Sequence, residues 1–309
     1  MLRYRLLSAF LIISASLVFV ALDSQFPIPG CDGLWMSFVG IYLIFGSAVE
    51  CVQMMHQSDR SGLRSVRLPA LLGVGGIILA SLIPMCWLAL TGEEYPADCL
   101  LGKLGWPLAA MLIAQFLCVV WYFPSYSANS NFLTRAITAS WVSNYFGGCF
   151  AFAVALRMVG TPVWGLYLLV GIILITKFAD AGAYFAGRAL GRTKLCPHIS
   201  PGKTVEGLCG GAIVATIAGW IYFCLCGNWL FPTLQVGWLG VSILGIALTV
   251  SGVVGDLVES VFKREMKVKD SGRLLPGLGG LWDVTDSLLP SFVVGYVVVM
   301  TDLIQGPGQ

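Results

Sequence analysis

Val163–Ala183 reads VWGLYLLVGIILITKFADAGA, with fourteen uncharged residues from Val163 to Thr176 before Lys177 and Asp180 interrupt the run. About 20 apolar residues make a helix long enough to cross the ~30 Å hydrocarbon core of a bilayer. The run is therefore expected to be a membrane span. Lys177 and Asp180 stand three apart, on one face of such a helix. Two readings stay open for them: mutual neutralisation near the membrane interface, or an Asp180 that faces a polar cavity.

Eight further runs of this kind surround it, at Leu6–Leu22, Leu34–Met55, Leu68–Leu90, Pro107–Phe123, Ala136–Leu156, Val205–Cys226, Gly237–Gly255 and Ser287–Ile304. The whole chain has 309 residues, 57% of them hydrophobic and 11% charged, with a mean hydropathy of +0.84. Soluble domains carry about 25% charged residues, so this chain cannot cover itself in water. The expected fold is all-α: a polytopic integral membrane protein of about nine transmembrane helices. A net charge of +2 without a long basic run excludes nucleic acid as a partner.

Charge bias orients the spans. Arg3 and Arg5 precede the first; Arg60, Arg64 and Arg67 lie in the second loop, Arg135 in the fourth, and Arg188, Arg192, Lys194 and Lys203 in the sixth. Alternate loops hold Asp23 and Asp32, then Glu93, Glu94 and Asp98. The positive-inside rule places the amino terminus and the even loops in the cytoplasm. Arg157 is the one dissenting charge. The first span follows a basic MLRYR start, as a signal peptide does, but its apolar stretch is long and no small-x-small site follows, so a retained anchor is expected. Cys31 and Cys99 both fall in expected outer loops, which allows a disulfide between them. Most other cysteines sit in spans as small packing residues.

The chain divides by polarity near residue 160. Residues 1–160 form amino-terminal spans with little charge, apart from Glu50, read as an interfacial carboxylate. Residues 161–309 hold the unusual polar groups. Ser200-Pro-Gly-Lys-Thr-Val-Glu206 leads into the seventh span, where Ser200 is expected to cap the helix with Pro201 in its first turn. A capped helix with basic residues suits an anion, and equally suits a plain helix start. His198 and His56 carry no distinct signal.

Asp256 ends the eighth span within Gly255-Asp-Leu, and Asp283 and Asp286 stand three apart just before the ninth. If helical, the latter two share a face and can converge with Asp256 on one cation. Magnesium wants hard oxygen ligands and keeps room for water and phosphate. Lys263, Arg264, Lys267, Lys269 and Arg273 lie between, suited to neutralise phosphates. Pro276-Gly-Leu-Gly-Gly280 is a tight turn whose amides could approach an anion. A dense two-sign cluster beside lipid marks a functional site.

Ser260-x-Phe262-Lys263-Arg264-x4-Lys269-Asp270-x-Gly272-x2-Leu275-Pro276-x2-Gly279-Gly280-Leu281-x-Asp283-x-Thr285-Asp286 resembles the signature of the phosphatidate cytidylyltransferases. Asp180-Ala-Gly-Ala-Tyr-Phe-Ala-Gly, Ser200-Pro-Gly-Lys-Thr-Val-Glu-Gly and Gly255-Asp-Leu extend the likeness over the carboxyl-terminal half. Two positions depart: Leu278 stands where the family has His, and Val284 where it has Arg. The resemblance implies transfer of a cytidylyl group from CTP to phosphatidate, giving CDP-diacylglycerol and pyrophosphate in phospholipid synthesis. It implies Mg2+ held by Asp256 and Asp283 with Asp286 beside them, and a monovalent cation such as K+. Catalytic work would fall to Asp256, Lys263, Arg264, Lys269, Asp270, Asp283 and Asp286. Asp180, Ser200, Lys203, Thr204, Glu206, Gly279 and Gly280 would line the nucleotide and cofactor pocket. A homodimer among membrane lipids is likewise implied, while a bacterial inner membrane with the site facing the cytoplasm is expected from the charge bias. Two alternatives are a transferase for another lipid phosphate and a non-catalytic or transporting membrane homologue. Transport is disfavoured, because the charges gather at one surface and no repeat is visible.

Overall fold

The computed structural model describes residues 2–57, 63–96, 99, 102–127, 131–231, 234, 236–272, 274–304 and 306. Arg60, Asp98 and Arg273 lie outside the described residues, as do the side chains of Arg3 and Arg5. In chain order the elements are α1 (Leu2–Gln25), α2 (Leu34–Gln57), α3 (Arg67–Leu82), α4 (Trp87–Thr91), α5 (Gly102–Trp121), α6 (Phe132–Arg157) and α7 (Pro162–Leu190). A hairpin of β1 (Lys194–Cys196) and β2 (Ser200–Thr204) follows. Then come α8 (Val205–Trp220), α9 (Gly227–Leu230), α10 (Trp238–Glu265), α11 (Trp282–Thr285) and α12 (Leu288–Val299).

The protein is a polytopic all-α membrane protein. Among the described residues eight helices are long and apolar enough to cross a bilayer, from Leu34–Gln57 to Trp282–Val299. The first expected span is helical throughout as α1, with Phe10–Gln25 an apolar stretch among the described residues. The third ends at Leu82 instead of Leu90. Pro84 has no N–H to continue the ladder, so residues 83–86 turn before α4 resumes. The sixth and eighth outrun their apolar stretches, reaching 29 and 28 residues. Hydropathy marks where lipid ends, while helix propensity carries the backbone onward.

The chain forms two compact units: Met1–Met158 with Glu265–Thr285, and Val159–Arg264 with Asp286–Gln309. In the first, α3 and α6 pack closely through small residues. The Ser143 hydroxyl reaches across to the Ala70 carbonyl at 3.1 Å, against the flank of Gly73. Small residues let helices gain dispersion contacts where lipid offers no hydrophobic drive. Leu112, Phe116, Leu117 and Val120 leave one face of α5 exposed and apolar. In the second unit α7 and α8 approach in the same way, through Gly182, Ala186 and Gly210.

Three sequence expectations meet the structure here. The dissenting Arg157 is buried at the end of α6, where its Nε and Nη2 meet Asp23 Oδ2 at 2.8 and 2.7 Å. Its charge is paired within the first unit. Glu50, read as an interfacial carboxylate, is 7% exposed and hydrogen-bonded within its unit. No disulfide joins Cys31 and Cys99, and both keep their thiols. The Cys86 thiol is pushed up to about 12 by burial and by a hydrogen bond with the Cys31 thiol.

Candidate active site

The second unit gathers three carboxylates. Asp256, Glu259 and Lys263 recur at i, i+3 and i+7 along α10 and so share one face. A side chain at position 255 would strike the Asp286 backbone and Pro290, so Gly255 permits the close approach that brings Asp286 alongside. One oxygen from each of Asp256, Glu259 and Asp286 lies within 4.8 Å of the others. Glu259 and Asp286 are buried and Asp256 is half-buried. The arrangement is an all-oxygen donor set of the kind that hard divalent cations take.

Cations and hydroxyls surround the set. Lys203 Nζ reaches Asp256 Oδ2 at 2.9 Å and the Val253 carbonyl at 3.0 Å. Lys263 Nζ meets Glu259 Oε2 at 2.7 Å. The Ser260 hydroxyl donates to Asp256 Oδ1 at 3.2 Å. On α7, Lys177 and Asp180 are 3.4 Å apart, but Ser287 links them more tightly. It accepts from Lys177 at 2.9 Å and donates to Asp180 at 2.8 Å. Lys177 and Asp180 also act electrostatically on Asp286. The pair on α7 thus belongs to a polar cluster, not to an isolated interfacial ion pair.

The motif before α8 is built differently from expectation. Ser200 does not cap the helix: Ser200–Thr204 is a strand, paired antiparallel with Lys194–Cys196. Thr204, extended at φ −129° and ψ 155°, is the cap and accepts from Gly207 N at 3.0 Å. Either hydroxyl type can cap, and the hairpin ladder claims Ser200 first. Glu206 accepts from the Arg192 and Thr193 amides at 3.1 Å, which ties the chain leaving α7 to the start of α8. Lys203 directly precedes the Thr204 cap. Arg264 is exposed and its Nε donates to the Ile199 carbonyl at 3.3 Å.

Asp283 lies in the first unit. Its Oδ2 accepts from Ser271 N at 2.9 Å, the Ser271 hydroxyl at 2.8 Å and Gly280 N at 2.7 Å. Leu275 and Gly279 exchange backbone bonds across the turn, which needs φ +100° at Gly279, a value open to glycine. The amides of Leu278, Gly279 and Gly280 therefore donate inside the loop. Lys269 and Asp270 are exposed.

The chain matches the cytidylyltransferase family over residues 3–301. It belongs to that family. It is 44% identical over 142 residues to a phosphatidate cytidylyltransferase of Haemophilus influenzae, covering 45% of this chain and 49% of the relative. It is 38% identical over 159 residues to one from Bacillus subtilis, covering 52% and 55%. The chain thus spans about half the length of these curated relatives in the matched region. A Brucella suis phosphatidate cytidylyltransferase is 29% identical over 273 residues, covering 87% of this chain and 88% of the relative. Glu259, Ser271 and Ser287 join these polar groups without being singled out by the sequence motifs. Glu259 had a signal: carried helically past Gly255, the chain places it three residues from Asp256 and four from Lys263. The two serines had none, since their partners lie far off in sequence.

Proposed function

We propose that this protein transfers a cytidylyl group from CTP to phosphatidate, giving CDP-diacylglycerol and pyrophosphate. The observation that carries the reading is the convergence of Asp256, Glu259 and Asp286 beside Lys203 and Lys263, in a membrane-spanning member of the cytidylyltransferase family. A phosphatidate phosphate oxygen attacks the α-phosphorus of CTP, and pyrophosphate leaves in line. Such chemistry asks little covalent work of the protein and much positioning and charge neutralisation.

Asp256, Glu259 and Asp286 fit Mg2+ by donor type, and Mg2+ there would offset the charge that develops on the transferring phosphoryl oxygens. The metal role of Asp283 rests on the family resemblance. Lys203 and Lys263 hold Asp256 and Glu259 in place and bring positive charge to the phosphates. The Ser260 hydroxyl fixes the second Asp256 oxygen. Lys177, through Ser287, steadies the Asp180 carboxylate. The charge bias of the loops supports a cytoplasmic site in a bacterial inner membrane, where soluble CTP meets a lipid head group. A homodimer is what the resemblance supports.

The test is pyrophosphate release by the detergent-purified protein given CTP, Mg2+ and phosphatidate. Release should depend on lipid and fall at least ~10²-fold in Asp283→Asn, the scale of a lost electrostatic transition-state contact. A wild type that binds CTP but is silent with phosphatidate overturns the reading. Activity with a different lipid phosphate would then identify that lipid as the acceptor.

A further inference from the structure

Glu50 projects from the carboxyl-terminal half of α2, yet its carboxylate serves a loop more than two hundred residues away. Oε2 accepts from Trp282 N at 3.0 Å and from the Ser271 hydroxyl at 3.2 Å. Ser271 is also the residue whose N–H and hydroxyl hold Asp283 Oδ2, and whose Oγ accepts from Asp283 N at 3.3 Å. Glu50 therefore touches the residue before Asp283 and the residue that grips Asp283. One turn earlier on the same face of α2, the Ser47 hydroxyl lies 2.8 Å from Thr285 Oγ1. The side chain of Trp282 stacks edge-on against Phe146 at 5.2 Å. A Cβ at position 280 would collide with both Glu50 Oε2 and Ser271 Oγ, so the carboxylate is seated against bare backbone.

A carboxylate this buried is costly unless donors satisfy it. Here the donors come from the segment bearing Asp283, so the acceptor and that segment order one another. The Ser271 hydroxyl has one proton and two carboxylate neighbours. The Trp282 amide is the bond that Glu50 does not share with Asp283. Reach, more than charge, is what this contact demands.

We propose that Glu50 is a positioning residue: by accepting the Trp282 N–H and the Ser271 hydroxyl it fixes the Ser271–Asp283 segment, and with it the Asp283 carboxylate, for catalysis. The role in turnover rests on the cytidylyl-transfer reading above, whereas the ordering of the segment does not.

Two conservative variants separate reach from charge. Glu50→Gln keeps an acceptor oxygen at the same distance and loses the charge. Glu50→Asp keeps the charge and withdraws the oxygen by one methylene. Both are examined in the full chain by amide hydrogen exchange and by pyrophosphate release with CTP, Mg2+ and phosphatidate. Glu50→Gln should keep exchange and kcat within about threefold of wild type. Glu50→Asp should raise exchange at Gly280 and Trp282 about tenfold and lower kcat about tenfold, with KM for CTP within about threefold. Wild-type exchange and kcat in Glu50→Asp overturn the proposal, as does a Glu50→Gln variant that loses both. If the wild type releases no pyrophosphate, the activity reading fails by itself. Exchange at the same two amides in Glu50→Asp then decides alone: a tenfold rise upholds the positioning, and unchanged protection overturns it.

Discussion

Replacing Arg157 by Met should unfold the protein at a markedly lower temperature. The two donors of Arg157 converge on a single oxygen, Asp23 Oδ2, at 2.8 and 2.7 Å, and the two side chains are 4% and 1% exposed. Asp23 Oδ1 has no hydrogen-bond partner among the described residues. The substitution strips the other oxygen of this guanidinium and leaves a buried carboxylate. Breaking one side of a buried pair costs about 3–5 kcal/mol. The discount for solvent-screened surface pairs does not apply to side chains so enclosed. At about 2–3 °C per kcal/mol for a chain of this size, the midpoint should fall by about 6–15 °C. Removing both charges, Asp23→Leu with Arg157→Met, should recover most of that loss, because a matched apolar pair avoids the desolvation cost altogether. The assay is the folded fraction of detergent-purified protein after heating, read by size-exclusion chromatography. A single variant within about 2 °C of wild type, or a double variant no better than the single, refutes the reasoning.

Thr204→Ala removes the cap bond to Gly207 N and should cost about 1 kcal/mol, with Thr204→Ser close to wild type in the same heating assay. Asp256→Asn withdraws one charge from the carboxylate set, and the Mg2+ concentration for half-maximal pyrophosphate release should rise about tenfold or more. An unchanged Mg2+ titration would remove Asp256 from the metal set. Leu278→His with Val284→Arg restores the family residues and should be tolerated; collapse of activity would mean the pocket has been rebuilt around Leu278 and Val284.

Hydropathy made the membrane class and most helices legible, because twenty apolar residues in a row have one economical environment and one backbone that satisfies itself there. The Val205–Cys226 span coincides with its expected bounds for that reason. Helix ends were less legible. Asp256 reads as the end of a span in a hydropathy profile, yet α10 runs on to Glu265 and carries Glu259 into the cluster. The cap of α8 moved from Ser200 to Thr204 because strand pairing, a contact between segments, outcompeted a local preference.

Local composition therefore sets the polytopic helical class, the spans, and the motif that relates the chain to a family. Which polar groups meet follows from helix packing. Arg157 finds Asp23 across 134 positions, Glu50 finds Trp282 across 232, and Ser287 enters between Lys177 and Asp180 from 110 and 107 away. Each of these polar groups is shielded wholly or in part from water, and each must find a partner or raise the energy of the fold. That requirement is absolute, but the partner it selects depends on how the helices pack, which no local pattern records.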